Sequence, residues 1–586
     1  MWTLLTFLAF TLAVAVITYF GTRKSDHSSE TGFFLAGRTL TFPFIAGSLL
    51  LTNLSTEQMV GLNGSAFSFG FSVFAWEVVA VIALVVMAIF FLPRFLKSGI
   101  ATVPQFLELR FNTTTSTLTN LIFLAFYMII LMPILLYTGS QAIIDIFSVK
   151  AMVTDPSWGV IADMFNSSIG DLLLLFIVGT VIAAIGALYA LWGGLKAVAV
   201  SDTLNGIGLL VGGFLIVYFA YMFFGRETIG EDATLLESIR ALPEAVPGRF
   251  NSLGGATSEV PAGTILTGVL LINIFYWCTN QQIIQRTFAA KSLSEGQKGV
   301  LLCGGLKLLG PLYLVLPGII AYALYSKGLL DIPLRSSGDV NSAAAYGTLV
   351  NTVLPDAWRG FFAAALLGAV LSSYNSCLNS ICTMYSLGIY KKHLRPQATE
   401  DAVVKSGQVF GWFFVVITLF IAPVLSLINT TIFDYLQNMN SIYFIPILAV
   451  VVVGMLSRRA PAISANITLV AGVMILAAAQ IIPDFFAKIN LNGYHFAALI
   501  FLILVGFMLV MAKLKPREVA YVQEDVKAVS MEPWKGTRYV GALLLLVVFT
   551  VYATMADTSV LKAEEPVAIS CDPIPLAADI ETPITP

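Results

Sequence analysis

Apolar stretches of about 20 residues recur along the whole of this 586-residue chain. Each is long enough to cross the roughly 30 Å hydrocarbon core of a bilayer as an α-helix. We count about fourteen of them, and only 11% of the residues are charged, against about 25% in soluble domains. The pattern predicts an all-α polytopic membrane protein with about fourteen transmembrane helices. A single membrane domain, surrounded by the lipid bilayer, is expected over residues 1–556.

One of these stretches, near 43–62, contains polar residues that an ordinary transmembrane helix cannot hold. Residues 52–58 read Thr-Asn-Leu-Ser-Thr-Glu-Gln, so that six of the seven are polar. Helical spacing would spread these side chains over every face of the helix, including the face in contact with lipid. Each unsatisfied polar group in lipid costs several kcal/mol. The run therefore indicates a broken helix that lines a cavity, which is how secondary transporters build their midplane sites.

A second polar-rich membrane segment, at 273–286, follows five spans later. A pair of interrupted spans at corresponding positions of two halves is the best sequence pointer to a transporter site. Their placement predicts a five-plus-five inverted repeat over about 43–456, with discontinuous helices at the site. One span would precede the repeat and three would follow it.

The distribution of positive charge predicts the orientation. Arg23 and Lys24 follow the first apolar stretch instead of preceding it, so this stretch is interpreted as an anchored span and not as a secretory signal. Most of the 32 Lys and Arg residues then fall in alternate connections, which would be cytoplasmic. Both termini are expected on the extracytoplasmic side. The acidic, Pro-rich tail at 557–586 is expected to be disordered.

Two charged residues stand inside predicted spans. An acidic residue such as Glu77 is costly at the centre of a bilayer, so we expect it to face the interior and to have a partner. It could relay protons, accept a hydrogen bond from a sugar hydroxyl, or tie helices together. Lys307 needs an acceptor for the same reason, and Glu77 is a candidate counter-charge. The two could grip a hydroxylated ligand or form a structural ion pair.

Three further polar residues are candidates for an ion path. Ser372 and Ser373 form a second polar patch within a span, and hydroxyl and freed carbonyl oxygens suit a hard monovalent cation. Adjacent serines in membrane helices also bond back to their own turn, so both interpretations stay open. Asp202 stands near the predicted start of a span, where the helix macrodipole would account for an acidic residue. A role in ion exit is the alternative.

The sequence gives little support for an enzyme or for an ATP-driven pump. The three histidines lie outside the predicted spans or at their edges, which leaves no His-rich metal site or catalytic triad. No G-x-x-x-x-G-K-S/T phosphate loop is present, so an ion gradient should supply the energy. Nothing points to a nucleic-acid partner, and the net charge is only −2. No kinase or receiver domain follows the spans, which disfavours a membrane sensor.

Short motifs spread over most of the chain resemble the sodium/solute symporter family, and within it the sodium/galactose and sodium/glucose cotransporters. In chain order the motifs are Phe33-Phe-Leu-Ala-Gly-Arg, Asn53-Leu-Ser-Thr-Glu-Gln, Phe91-Leu-Pro, Gly193-Gly-Leu-Lys-Ala, Tyr276-Trp, Asn280-Gln, Gln285-Arg-Thr-Phe-Ala-Ala-Lys-Ser, and Ser372-Ser with Leu378-Asn-Ser. Any one of them would be a weak signal, but together they are specific. The resemblance implies the inverted-repeat fold and a secondary active transporter rather than an enzyme.

The resemblance also implies roles for individual residues, carried over position by position. It implies a sugar site at Asn53, Gln58, Glu77, Asn273, Lys307 and Gln437. It implies an aromatic platform at Tyr276 on the cytoplasmic side and an outer hydrophobic gate at Leu62, Trp76 and Phe433. It implies a sodium site, with Na⁺ as the coupling ion, at the carbonyls of Leu51, Leu54 and Ala369 and the hydroxyls of Ser372 and Ser373. Asp202 matches an acidic residue on the sodium exit path.

Two positions depart from the pattern of the galactose carrier. A pocket serine is replaced by Ala80 and a pocket asparagine by Leu131, so part of the ligand would meet a more apolar wall. The implied function is sodium-coupled symport, by alternating access, of a hexose such as galactose or glucose or of a related polyol. The alternative is symport of a non-sugar solute, such as an organic acid or an osmolyte, on the same fold. The expected location is the plasma membrane, specifically a bacterial inner membrane.

Overall fold

The computed structural model describes residues 2–26, 28–147, 149–334, 340–427 and 432–561, with the side chains of 432–434 left out. Within these ranges the chain is built of α-helices joined by loops and by short 3₁₀ and π-helical turns. The only extended pairings in the described ranges are isolated single-residue bridges, such as that between Leu40 and Ala290. The predicted all-α class is therefore confirmed.

Twenty-six α-helices follow one another along the described chain. They are α1 (Trp2–Thr22), α2 (Glu30–Leu35), α3 (Phe42–Asn53), α4 (Thr56–Phe69), α5 (Ala75–Val86), α6 (Leu92–Lys97), α7 (Val103–Arg110), α8 (Thr113–Phe126), α9 (Met132–Ile146), α10 (Val149–Val153), α11 (Val160–Phe165), α12 (Ser168–Thr228), α13 (Leu235–Ala245), α14 (Leu270–Cys278), α15 (Gln281–Phe288), α16 (Leu293–Lys307), α17 (Gly310–Leu314), α18 (Leu316–Ser326), α19 (Ser342–Val353), α20 (Asp356–Tyr385), α21 (Glu400–Ile421), α22 (Ile432–Leu456), α23 (Ala462–Ile481), α24 (Phe485–Lys488), α25 (Gly493–Leu514) and α26 (Thr537–Met555).

Several breaks interrupt the apolar helices of the described chain, and four of them bear on the site. The first separates α3 from α4 at Leu54, whose φ of −79° and ψ of 71° are not helical. A bend of 42° separates α14 from α15, and a bend of 47° separates α16 from the α17–α18 pair. The fourth lies within α12 at Gly194, where φ of +59° and ψ of −170° divide the element into two helices. Glycine adopts this left-handed conformation because it has no Cβ.

The number of spans depends on how these breaks are treated. Ten helical stretches of the described chain are long and apolar enough to cross a membrane, or twelve if each of the two bent pairs is counted as one span. The 61-residue element α12 is among the ten although Gly194 divides it. The multi-pass architecture is confirmed, while the predicted number of fourteen spans is not.

Burial separates central spans from peripheral ones. In the span Asp356–Leu394, 89% of the residues in its most apolar part are buried. In the first and last spans, α1 and α26, the corresponding shares are only 11% and 17%. Helix α20 therefore lies at the centre, where it packs against α12, α3 and α9. Helix α3, which carries the first break, also packs against α12 and α16. Helix α3, which ends in the polar run, and helix α20, which carries the polar patch at Ser372 and Ser373, are thus neighbours in the core.

Between α25 and α26 the chain runs as an extended strap over residues 515–536 and packs against other helix connections. The side-chain amide of Gln523 donates to the carbonyl of Arg94 at 2.5 Å and to the hydroxyl of Ser98 at 2.7 Å. The guanidinium of Arg517 donates to the carbonyl of Arg110 at 2.8 Å. The strap therefore joins the ends of several helices on one face of the molecule.

The predicted disordered tail at 557–586 falls mostly outside the described residues. Its first residues are described: Asp557 exchanges hydrogen bonds with Asn251, and Thr558–Leu561 form one 3₁₀ turn. Residues 562–586 lie outside the described part, so the prediction of disorder stays a prediction.

Candidate functional site

The break between α3 and α4 redirects backbone hydrogen bonds. The amide of Ser55 donates to the carbonyl of Asn53 at 2.9 Å, rather than to that of Leu51 four residues earlier. The amide of Gln58 donates to the carbonyl of Ser55 at 3.1 Å, rather than to that of Leu54. The carbonyls of Leu51 and Leu54 are thereby released from the helical ladder. Such released oxygens are the ones that can coordinate an ion inside a membrane protein.

Helix α20 presents hydroxyl groups to this break. Ser373 Oγ donates to the carbonyl of Thr52 at 2.8 Å. Ser372 Oγ lies 3.5 Å from Thr52 Oγ1, and Ser376 Oγ lies 3.1 Å from the same atom. Ala369 is buried on α20 and lies three and four residues before the two serines, which places it on their face of the helix. The end of α3, which carries Leu51 and is followed by Leu54, therefore touches the face of α20 that carries Ala369, Ser372 and Ser373.

Asp202 lies beside this cluster, but not at a helix start. Its carboxylate accepts a hydrogen bond from Ser48 Oγ at 2.5 Å and is attracted by the guanidinium charge of Arg286. The helix after the break at Gly194 already runs for two turns before Asp202 is reached. The macrodipole acts within the first turn of a helix, so that explanation of Asp202 was wrong. A fully buried carboxylate is stabilised here by Ser48 and Arg286.

A cavity with about 360 Å³ of empty space lies next to the break. Its lining contains all six predicted sugar-site residues and four aromatic or aliphatic side chains. They are Asn53, Gln58, Trp76, Glu77, Ile272, Asn273, Tyr276, Trp277, Lys307 and Gln437. A small polar molecule placed there would meet amide, carboxylate and ammonium groups, together with three aromatic rings.

A hydrogen-bonded cluster forms the polar side of the cavity. Lys307 Nζ lies 2.5 Å from both carboxylate oxygens of Glu77 and 2.5 Å from Asn53 Oδ1. Asn53 Nδ2 in turn donates to the hydroxyl of Tyr276 at 3.3 Å. The side chains of Glu77 and Lys307 are each only 1% exposed, so each charge depends on the other for compensation. The predicted Glu77–Lys307 pairing therefore exists in the structure.

Sequence reasoning missed three residues of this region. Ile272 and Trp277 line the cavity, and Lys307 Nζ lies 5.5 Å from the centre of the Trp277 ring. Gly310 borders Glu77 so closely that a Cβ there would lie 2.4 Å from Glu77 Oε2. The Tyr276-Trp motif was the available signal for Trp277. Apolar Ile272 and the glycine carried no signal, because both are ordinary residues of membrane helices.

The predicted gate residues are only partly brought together. Trp76 and Tyr276 line the cavity, whereas Leu62 is fully buried in the core and is not part of the lining. The side chain of Phe433 lies outside the described residues. Ala80 and Leu131, the two departures from the galactose-carrier pattern, are buried but do not line this cavity.

The fold and the site together define a multi-pass membrane transporter with a broken-helix site. A profile of the sodium:solute symporter family matches residues 33–472, so the chain belongs to that family. It is 39% identical over 554 residues, 94% of this chain and 91% of the relative, to a protein of Escherichia coli (strain K12) called uncharacterized symporter YidK. It is 31% identical over 485 residues, 80% of this chain and 83% of the relative, to the sodium/glucose cotransporter of Vibrio parahaemolyticus.

A solved structure supports the fold. The substrate-bound outward-open state of a Na⁺-coupled sialic acid symporter superposes with a TM-score of 0.70 over 89% of this chain and 99% of its own, at 17% sequence identity. The predicted inverted-repeat fold is thereby confirmed, and it is LeuT-like. Membership of the family confirms that the protein is a symporter of the membrane and not an enzyme, and it implies coupling to sodium.

Proposed function

We propose that this protein carries out sodium-coupled symport of a hexose, such as galactose or glucose, or of a related polyol, by alternating access. The observation that carries the proposal is the cavity beside the helix break, which is lined by all six polar residues expected of a sugar site. The Vibrio parahaemolyticus sodium/glucose cotransporter, at 31% identity, supports a sugar as the solute.

The chemistry of the cavity suits a neutral, hydroxylated solute. Each sugar hydroxyl can donate one hydrogen bond and accept others. Glu77 offers acceptors and Lys307 offers donors, while their charges cancel. Asn53, Gln58, Asn273 and Gln437 supply amides that do both. Tyr276 supplies a ring on which the apolar face of a sugar can lie, and in the proposal it closes the cavity from the cytoplasmic side.

The proposed sodium ligands are the carbonyl oxygens of Leu51, Leu54 and Ala369 and the hydroxyls of Ser372 and Ser373. The two released carbonyls of α3–α4, the carbonyl of Ala369 in the continuous helix α20 and the two serine hydroxyls give five oxygens, a donor set that suits a hard cation. Asp202, buried beside Ser48, would lie on the path by which sodium leaves. One positive charge moving through 100 mV provides about 2.3 kcal/mol, so each sodium ion can drive accumulation of the solute.

In the proposed cycle sodium binds first and draws the break in α3–α4 toward α20. The solute then binds between Glu77 and Lys307 while Trp76, Leu62 and Phe433 close the outer side. Movement of the two repeats then opens the site to the cytoplasm, where Tyr276 moves away and sodium leaves past Asp202.

The topology completes the proposal. We place residues 1–556 in one membrane domain, with the inverted repeat at about 43–456 and both termini outside the cytoplasm. The 39% identity to a protein of Escherichia coli supports a bacterial inner membrane as the location.

The test is uptake by purified protein in liposomes, with an inward sodium gradient or with choline in place of sodium. Labelled galactose and glucose should accumulate only with sodium, and unlabelled hexoses should compete. Thermal stabilisation by a panel of sugars, polyols, organic acids and osmolytes, with and without sodium, identifies the solute independently. Sodium-dependent stabilisation by a non-sugar, with none by any sugar or polyol, would refute the sugar assignment.

A further inference from the structure

Arg286 of α15 is a fully buried cation beside the hydroxyl groups that join α3 to α20. The residue is 0% exposed. One terminal nitrogen of its guanidinium donates to the carbonyls of Gln282 and Ile283 on its own helix, at 2.7 and 2.9 Å. The other terminal nitrogen crosses to α20 and donates to Ser376 Oγ at 2.6 Å. The guanidinium therefore contacts the helix that carries the two proposed sodium hydroxyls.

Hydroxyl groups connect this guanidinium to the proposed sodium site. Ser376 Oγ lies 3.1 Å from Thr52 Oγ1, which in turn lies 3.5 Å from Ser372 Oγ. Ser372 and Ser376 are four residues apart on α20, so they lie about one helical turn apart on the same face. A cation held by Ser372 would lie within about two helical turns, roughly 10 Å, of the charge of Arg286. We call Ser48, Thr52, Ser372, Ser373 and Ser376 the hydroxyl cluster.

Asp202 of α12 carries the opposite charge next to the same cluster. It is also 0% exposed, and Ser48, one turn before Thr52 on α3, donates to its carboxylate at 2.5 Å. Asp202 and Arg286 attract each other electrostatically. In the described part of the chain, Asp202 Oδ1 and Arg286 Nε have no hydrogen-bond partner. The two opposite charges thus act on each other across the cluster, with hydroxyls as their hydrogen-bond partners.

A sodium ion at the cluster would change this charge balance. A buried charge needs compensation, and Arg286 and Asp202 now compensate each other. A bound sodium ion would add a second cation to the field of one carboxylate. Like charges roughly 10 Å apart, at an effective dielectric constant of about 20, repel each other enough to weaken binding about tenfold. Arg286 should therefore keep the affinity for sodium below the value that Asp202 alone would give.

We propose that Arg286 is an internal counter-cation, which competes with sodium for the charge of Asp202 and thereby lowers the affinity for the ion. Without sodium, the guanidinium compensates the carboxylate and the buried cluster stays neutral. A lowered affinity favours transport, because sodium has to leave into a cytoplasm where its concentration is low. The inference rests on the proposed function, because it takes the hydroxyls of Ser372 and Ser373 as part of the sodium site.

The test measures sodium binding and not uptake. The purified protein is titrated with sodium in the absence of solute, choline keeps the ionic strength constant, and thermal stabilisation gives the Kd. Arg286→Gln removes the charge and should lower the Kd about tenfold. Arg286→Lys keeps a charge and should change the Kd less than threefold. A merely structural role of Arg286 predicts weaker binding in Arg286→Gln, so a Kd equal to or above that of the parent would overturn the proposal.

A second comparison keeps the test decisive if Arg286→Gln does not fold with Asp202 left uncompensated. Asp202→Asn should raise the Kd about tenfold, because the ion loses the attraction of the carboxylate. Addition of Arg286→Gln to Asp202→Asn should return the Kd to within about threefold of the parent, because both buried charges are then absent. A double variant that binds sodium no better than Asp202→Asn would overturn the proposal.

Arg249→Gln is the matched control. Its guanidinium is also buried, but it donates to the carbonyls of Phe67 and Ser68 at the far end of α4. Its removal should leave the Kd for sodium within twofold of the parent. A tenfold fall of the Kd in Arg249→Gln as well would mean that the effect does not depend on the position of Arg286, which would overturn the proposal.

The readout also distinguishes this inference from the proposed function. If the Kd falls in Arg286→Gln while the parent transports no hexose, the role of Arg286 stands and only the sugar assignment fails. If hexoses accumulate with sodium and the Kd falls in neither comparison, the proposed function stands and Arg286 has no such role. If sodium does not stabilise the parent at all, the proposed sodium site and the role of Arg286 are both overturned.

Discussion

Removal of one partner of the Glu77–Lys307 pair should destabilise the fold more than removal of both. Lys307 Nζ lies 2.5 Å from both Glu77 oxygens and from Asn53 Oδ1, and both charged side chains are 1% exposed. Lys307→Met leaves a buried carboxylate without compensation. Glu77→Gln leaves a buried ammonium with only neutral partners. The double variant has no buried charge at this position.

The magnitudes follow from the burial. Removing one member of a buried ion pair costs about 3–5 kcal/mol. In Lys307→Met the amide oxygen of Asn53 also loses its donor, which adds about 1–3 kcal/mol. In the double variant only the amide oxygen of Asn53 is left without a donor, so its free energy of unfolding should fall by about 1–3 kcal/mol. The contribution of Asn53 is common to Lys307→Met and the double variant and cancels, so the double-mutant cycle should give a coupling energy of about 6–10 kcal/mol, the sum of the two ion-pair losses.

The assay is the free energy of unfolding of the purified protein, from SDS titration in mixed micelles, for the parent, both single variants and the double variant. The exposed pair Lys405–Asp401, at 2.7 Å and with side chains 68% and 56% exposed, provides the control cycle. Its coupling should be below about 1 kcal/mol. The reasoning would be refuted if the double variant lost as much free energy of unfolding as Glu77→Gln and Lys307→Met together. All variants at Glu77 and Lys307 should lose uptake, because the proposed site needs both groups.

Three further substitutions test other parts of the structure. Ser373→Ala should raise the sodium concentration for half-maximal uptake about tenfold, because it removes a proposed ligand oxygen; Ser386→Ala on the following π-helical turn is the control. Gly310→Ala should destabilise the protein by about 1–3 kcal/mol in the same SDS titration, because its methyl would lie 2.4 Å from Glu77 Oε2. Gln523→Ala should lower the free energy of unfolding by about 1–2 kcal/mol, because the strap loses its hydrogen bonds to the α6 end. An unchanged free energy of unfolding would mean that these contacts of the strap are dispensable.

The broken helix was predictable because polar side chains that face lipid without hydrogen-bond partners are energetically costly. The run at 52–58 could not be spread around a continuous helix, and α3 indeed ends at Asn53 and α4 begins at Thr56. A buried lysine and a buried glutamate each demand a partner, so their pairing was also predictable. The positions of Ser372 and Ser373 opposite the break came only from the family resemblance, since serine pairs in membrane helices commonly bond to their own turn.

Other features depend on tertiary contacts that a single sequence does not express. Asp202 was taken for a residue of a helix start, whereas the helix that carries it begins two turns earlier, after the break at Gly194. The hydrogen bond from Arg249 to the carbonyl of Phe67 joins residues that are 182 positions apart in the chain, and no local pattern reveals it. The number of spans could not be counted from apolar stretches, because bent helices and paired helices look alike in composition.

In the proposed mechanism, coupling between ion and solute follows from the shared use of residues 51–58 by the two proposed sites. Thr52 gives its carbonyl to Ser373 on the proposed sodium side, and the adjacent Asn53 gives its side chain to Lys307 on the proposed solute side. Thr52 and Asn53 are neighbours in the last turn of α3, next to the non-helical joint at Leu54, so an ion that draws this joint toward α20 also fixes the position of Asn53. Linkage is reciprocal: the factor by which sodium raises solute affinity must equal the factor by which solute raises sodium affinity. Sodium is titrated with and without solute, and solute with and without sodium, which measures both factors. Asn53→Ala should reduce the two factors together. If the affinity for sodium is the same with and without solute, the joint between α3 and α4 does not couple the two sites.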